Sequence, residues 1–234
     1  MISITNMTKK YRNKVAVDNL TLNVESGSIC GFIGHNGAGK TTTLKAIVGI
    51  HSIDAGKILV DGISIDKDPN GAKQIMAYIP DNPDIYDYMK GIDYLNFIAD
   101  AYSVDKSIRG DLINKYSELF EIKDVLNDIV SSYSHGMKQK LVIIAALIHS
   151  PKILVLDEPF VGLDPKASHI LKSLMRELCD KGGAILYSTH VLEVAQGLCD
   201  QIAIIKQGRL VISGKTENVV ADKSLEEIFL ELEE

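Results

Sequence analysis

The sequence predicts an α/β protein with a mixed, mainly parallel sheet, an N-terminal antiparallel β part and a helical subdomain. Three observations carry this. Short, near-continuous apolar runs at Ile29–Ile33, Ile153–Leu156, Ala184–Ser188 and Ile202–Ile205 fit strands buried on both faces. Helical patterns at about 166–180 and 191–198 separate the later runs, and strand–helix alternation is the mark of a parallel sheet. The first 30 residues instead alternate apolar and polar positions, as half-buried antiparallel strands do.

Each element follows from its local pattern. Ile2 and Ile4, then Val17, Leu20, Leu22 and Val24, mark the alternating strands. Ile29–Ile33 is a buried strand interrupted only by Gly31. A glycine-rich turn follows, then helical spacing over Lys40–Val48. Residues 57–66 read as a hairpin turned by Asp61 and Gly62. Met76–Ile79 is a short strand stopped by Pro80. Residues 92–128 carry helical spacing, such as Leu95, Ile98 and Ala99, then Leu112, Tyr116 and Leu119. Gln207-Gly208 turns a final hairpin. These patterns divide the chain into an α/β core at 1–81 and 151–222, a helical subdomain at 82–150 and an acidic amphipathic tail at 223–234.

Composition removes several classes of function. A chain of 234 residues can bury a sizeable core without disulfides or a structural metal. The net charge of −6 argues against a nonspecific nucleic-acid binder, which needs excess cations against the phosphate backbone. The longest unbroken apolar run is Leu141–Ile148, far short of the about 20 residues a spanning helix needs. The N-terminus lacks the basic and apolar regions of a signal peptide. Cys30, Cys179 and Cys199 have no close pairing and read as reduced core thiols of a cytosolic protein.

The strongest chemical signal is Gly34-His35-Asn36-Gly37-Ala38-Gly39-Lys40-Thr41, followed by Thr42. It matches G-x-x-x-x-G-K-[ST] in full, between a strand and a helix, and marks a P-loop NTPase core. The glycines let backbone N–H groups turn inward around phosphate oxygens. The helix N-terminus adds partial positive charge. Lys40 supplies a point charge to the β- and γ-phosphates, and the Thr41 hydroxyl is a hard oxygen ligand suited to Mg²⁺.

A second pair, Asp157-Glu158, ends the apolar strand Ile153–Leu156. Ligands of open parallel sheets sit beyond the carboxyl ends of the strands. Strand 184–188 runs into Thr189 and His190. Three strand tips should thus bring the phosphate loop, two carboxylates and a histidine to one edge. Asp157 would hold Mg²⁺ through water, and Glu158 would activate the attacking water. Adjacent side chains on an extended chain point oppositely, so the pair could divide these tasks.

With these motifs in order, the sequence resembles the nucleotide-binding subunit of ATP-binding cassette (ABC) transporters over nearly its whole length. Tyr133-Ser134-His135-Gly136-Met137 resembles that family's L-S-G-G-Q signature, keeping Ser134 and Gly136. The resemblance implies head-to-tail pairing with a second copy or a paralogous ATPase subunit. Ser134 and Gly136 would then contact ATP across the interface. It further implies that Tyr11 stacks on adenine, that His190 is the switch histidine near the γ-phosphate, and that Val161–Asp164 communicates between the two sites, with Asp164 also an N-cap. Where the family usually has glutamine after the strand at Met76–Ile79, this chain has Asp81, an acid able to bind Mg²⁺ or water.

The implied activity is Mg-dependent ATP hydrolysis, catalysed by Lys40, Glu158 and His190 and coupled to an integral membrane permease. The protein would be cytoplasmic, peripheral on the inner face of the membrane. The signature variant, Asp81 and the ending Leu225–Leu230 resemble bacterial exporter (ABC-2) subunits. Import subunits of similar length are the nearest rival in direction. A nontransport cassette ATPase acting on ribosomes or DNA is the rival in function.

Overall fold

A computed structural model describes residues 1–83, 85–221 and 223–232. The expected tail therefore includes Glu233 and Glu234, which lie outside the described residues, as does Asp222 of the expected core. In chain order the elements are β1 (Ile2–Tyr11), β2 (Lys14–Val24), β3 (Ile29–Ile33), α1 (Lys40–Ile47), β4 (Ala55–Val60), β5 (Ile63–Ser64), α2 (Pro69–Gln74) and β6 (Met76–Ile79). Helices α3 (Gly91–Ala101), α4 (Lys106–Leu119) and α5 (His135–Leu147) follow, with short 3-10 turns before α5. Then come β7 (Ile153–Asp157), α6 (Pro165–Asp180), β8 (Ala184–Thr189), α7 (Leu192–Leu198), β9 (Gln201–Lys206), β10 (Arg209–Lys215), α8 (Thr216–Val220) and α9 (Leu225–Glu231).

Two sheets form. One is antiparallel, in the order β2-β1-β4-β5. The other has the order β10-β9-β3-β8-β7-β6, parallel throughout except for β10 at its edge. The mixed, mainly parallel sheet and the antiparallel part are those the hydrophobic pattern predicts.

The continuous apolar strands are explained by the two cores. Ile153 and Val155 of β7 face a core shared with β1, β2, β4 and α1. Leu154 and Leu156, alternating with them, face a second core built with α3, α5 and α6. Helix α6 shows the complementary pattern. Ala167, Leu171, Met175 and Cys179 are buried at every fourth position, one stripe against the sheet. Asp164 caps that helix by accepting from Ala167 N–H at 2.8 Å, and Pro165 occupies its first turn. All three cysteines are buried and unpaired.

Where α5 ends, His149 stacks on Tyr102 with ring centroids 3.7 Å apart. Its Nε2 donates to Met76 O at 3.3 Å, which leaves Nδ1 buried without a partner among the described residues. Burial therefore favours the neutral ring and lowers the His149 pKa to about 4. The unfolded chain takes up this proton at higher pH, near the ordinary histidine value. Stability should thus decline as pH falls from about 6.5 towards 4. Replacing His149 with Phe should flatten that decline, measured by denaturant midpoints between neutral pH and about pH 4.

Candidate nucleotide-binding site

The carboxyl ends of β3, β8, β7 and β6 meet at one edge of the parallel sheet. The turn after β3 leads into α1, with Gly39 at its N-cap in a left-handed conformation, φ 113°. A Cβ there would sit 2.7 Å from Ala16 O, so only glycine lets the loop pass β2 this closely. The loop encloses a cavity of about 500 Å³ together with β2 and the tip of β7. Tyr11, His35, Asn36, Gly37, Gly39, Lys40, Thr41, Thr42, Asp81, Asp157 and Glu158 line it. Gly34 and Ala38 are buried within the same loop. A larger hollow of about 640 Å³ lies against α4 and α6, but it lacks a glycine loop opening a helix.

Lys40 is the buried cation of the site. Its Nζ donates to Gly34 O at 2.6 Å and to His35 O at 3.3 Å. Nζ also lies 4.0 Å from Glu158 Oε1. Burial pulls its pKa below the ordinary lysine value, while the negative Glu158 and Asp157 oppose this.

The acids behave differently from each other. Asp157 is almost fully buried, and Ser188 Oγ donates a short hydrogen bond to its Oδ1. Its Oδ2 has no hydrogen-bond partner among the described residues. An unsatisfied buried carboxylate oxygen beside the Thr41 hydroxyl loop fits a hard cation or a cation-bound water. Among the described residues no cluster of three or more His, Cys, Asp or Glu could hold a metal.

Glu158 requires a correction. It is not extended: its φ is 48°, in the left-handed region. Its N–H bonds both Ser188 O and Ser188 Oγ at 3.2 Å. The pair is separated by this turn after β7, not by strand alternation. Its Oε1 lies 2.9 Å from His190 Nδ1, so the tips of β7 and β8 place Lys40, Glu158 and His190 in one chain of contacts. Sequence reasoning missed Ser188, which supports both acids. Its only signal was a polar residue ending an apolar strand.

Tyr11 ends β1 and is partly exposed. Its ring packs edge-on against His51 at 5.8 Å, with Lys9 Nζ 5.2 Å from its centroid. Asp81 lines the cavity just beyond β6.

Ser134, Gly136 and Asp164 lie outside the cavity lining and form a second cluster. Ser134 caps α5, its Oγ accepting from Met137 N–H at 3.3 Å. A Cβ on Gly136 would sit 2.8 Å from Gly162 O, so glycine lets the first turn of α5 pack closely on the loop at Gly162. Asp164 accepts from Lys140 Nζ at 2.7 Å. That bond, then the one from Ala167 N–H, holds Asp164 below the usual carboxylate range.

A family model described as ABC transporter matches residues 17–161. The chain is 31% identical over 237 residues to the ABC-type transporter ATP-binding protein EcsA of Bacillus subtilis (strain 168), spanning 99% of this chain and 96% of that one. A solved structure of an ATP binding subunit of an ABC transporter superposes with a TM-score of 0.96 at 31% identity, over the full length of both. A dimeric cassette in a post-hydrolysis state, bound to ADP and Pi, shares the fold with a TM-score of 0.84 at 21% identity, covering 92% of this chain and 99% of that one. A family match over most of the chain and a relative of nearly equal length at 31% identity establish the family: the chain belongs to the ABC transporter family as an ATP-binding subunit.

Proposed function

We propose that this chain hydrolyses Mg-ATP as half of a head-to-tail pair and thereby drives a separate membrane permease, in export rather than import. The observation that carries the reading is the contact chain Lys40–Glu158–His190 at the mouth of the phosphate loop. The loop at 34–42 binds the phosphates, and Tyr11 stacks on the base. Thr41, Asp157 and Asp81 would hold Mg²⁺ directly or through water, and the ion would supply charge neutralisation at the phosphates. Lys40 stabilises negative charge at the terminal phosphate. Glu158 takes the proton of the attacking water, and His190 orients Glu158 through Nδ1.

The site needs a partner. Ser134 and Gly136 do not line their own phosphate-loop cavity; a second copy or a paralogous subunit would supply them across the interface, with Val161–Asp164 communicating between the two sites. Pairing is consistent with the dimeric cassette that shares this fold.

The permease reading rests on two further observations. No helix among the described residues is long and apolar enough to cross a membrane. The helical region at 82–130 also exposes a cluster of aromatic side chains. Tyr86 lies 5.9 Å from both Tyr88 and Phe97, and Tyr88 is 79% exposed. Such a patch suits short cytoplasmic helices of a membrane protein. The chain would then lie on the inner face of the cell membrane. The signature variant and Asp81 favour export, and the net charge of −6 disfavours nucleic acid.

Isolation of the native protein from detergent-solubilised membranes tests the reading. The expected result is co-purification with a multispanning membrane protein in fixed stoichiometry. Recovery with ribosomes or DNA, and without such a protein, would overturn it.

A further inference from the structure

Helix α9 is tied to α7 at its start and to β9 past its end. Ser224 and Glu227 form a capping box at its start. Leu225 is fully buried, and its N–H donates to Gln196 Oε1 on α7 at 2.8 Å. Past the helix, Lys206 Nζ donates to Leu232 O. These anchors bring the Phe229 ring to 4.6 Å from the His35 ring, with the planes tilted by 49°. His35 belongs to the phosphate loop, and its carbonyl accepts from Lys40 Nζ.

The geometry points to Phe229 as a positioning residue for nucleotide binding. By seating the His35 ring, it fixes the peptide whose carbonyl, with that of Gly34, aims Lys40. A loop held in its binding shape loses less conformational freedom when phosphates dock, so affinity is higher. Phe229 also packs against the main core, as Ile228 and Leu232 of the same segment do, so its ring both holds the helix and meets His35. Leu225 is the fully buried anchor of α9, and a leucine at 229 would keep the apolar core contact while removing the ring, so the substitution isolates the pair with His35. The inference rests on the nucleotide reading of the cavity.

The test is equilibrium titration of the full chain with a non-hydrolysable ATP analogue. Phe229→Leu keeps apolar bulk but loses the ring pair. It should bind roughly three- to ten-fold more weakly, the range expected for one aromatic contact. Phe229→Tyr should retain wild-type affinity, as should Leu230→Ala on the exposed face of the same helix. In a His35→Ala background, Phe229→Leu should cause no further loss. Wild-type affinity in Phe229→Leu, or an undiminished loss in the His35→Ala background, would overturn the proposal. Should Phe229→Leu not fold, His35→Ala must show the weakening and Phe229→Tyr must not. Failure of the wild-type chain to bind the analogue would overturn the nucleotide reading, and this proposal with it.

Discussion

Replacing Glu158 with Gln should lower ATP hydrolysis by about two to four orders of magnitude, the contribution of a positioned general base, while ATP still binds. The substitution keeps the size and one oxygen of the side chain, so the contact with His190 Nδ1 survives. What disappears is the negative charge that receives a proton. The phosphate loop, Lys40 and Thr41 are untouched, so phosphate binding persists. Loss of a negative charge 4.0 Å from Lys40 also removes repulsion of the terminal phosphate. ATP bound but not cleaved should hold two copies together. Phosphate release and gel filtration with ATP measure both effects. Undiminished hydrolysis and a chain that stays monomeric in ATP would show that Glu158 is not the base.

Replacing Lys40 with Ala should weaken ATP binding roughly ten- to a hundred-fold, as expected for loss of a charged hydrogen bond in a site shielded from water. Lys40 is 6% exposed, so a surface lysine cannot substitute for it. Arg should not rescue the change, because its planar fork does not reproduce a compact ammonium held between two loop carbonyls. Nucleotide titration reads the effect directly, and wild-type affinity in Lys40→Ala would remove the loop from the binding site.

Much of this was legible from residue order. The strands could be read because burial on both faces leaves uninterrupted apolar runs, as at Ile153–Leu156. The loop at 34–41 could be read because phosphate binding demands glycines and a lysine at fixed spacing. Short helices were less visible. Helix α2 covers only Pro69–Gln74, contains Gly71 and buries one residue, Ala72, so it has no periodic stripe. Helix α8 is shorter still. The turn at Glu158 escaped notice because left-handed conformations leave little mark in a non-glycine residue. The pairing of His35 with Phe229 joins residues almost the length of the chain apart. Nothing local in either segment signals it.

The three cysteines have a practical consequence. Burial raises the pKa of Cys179 to about 11 and of Cys199 to about 12, and pushes Cys30 further in the same direction. Thiolates are the reactive species, so the folded chain should be inert to maleimides at neutral pH. A single cysteine introduced at an exposed position such as Tyr88 would then take a fluorophore alone. Distances between labelled copies could be followed through a catalytic cycle without first stripping the protein of its own thiols. The same silence makes any reaction of the native thiols a direct clock for unfolding.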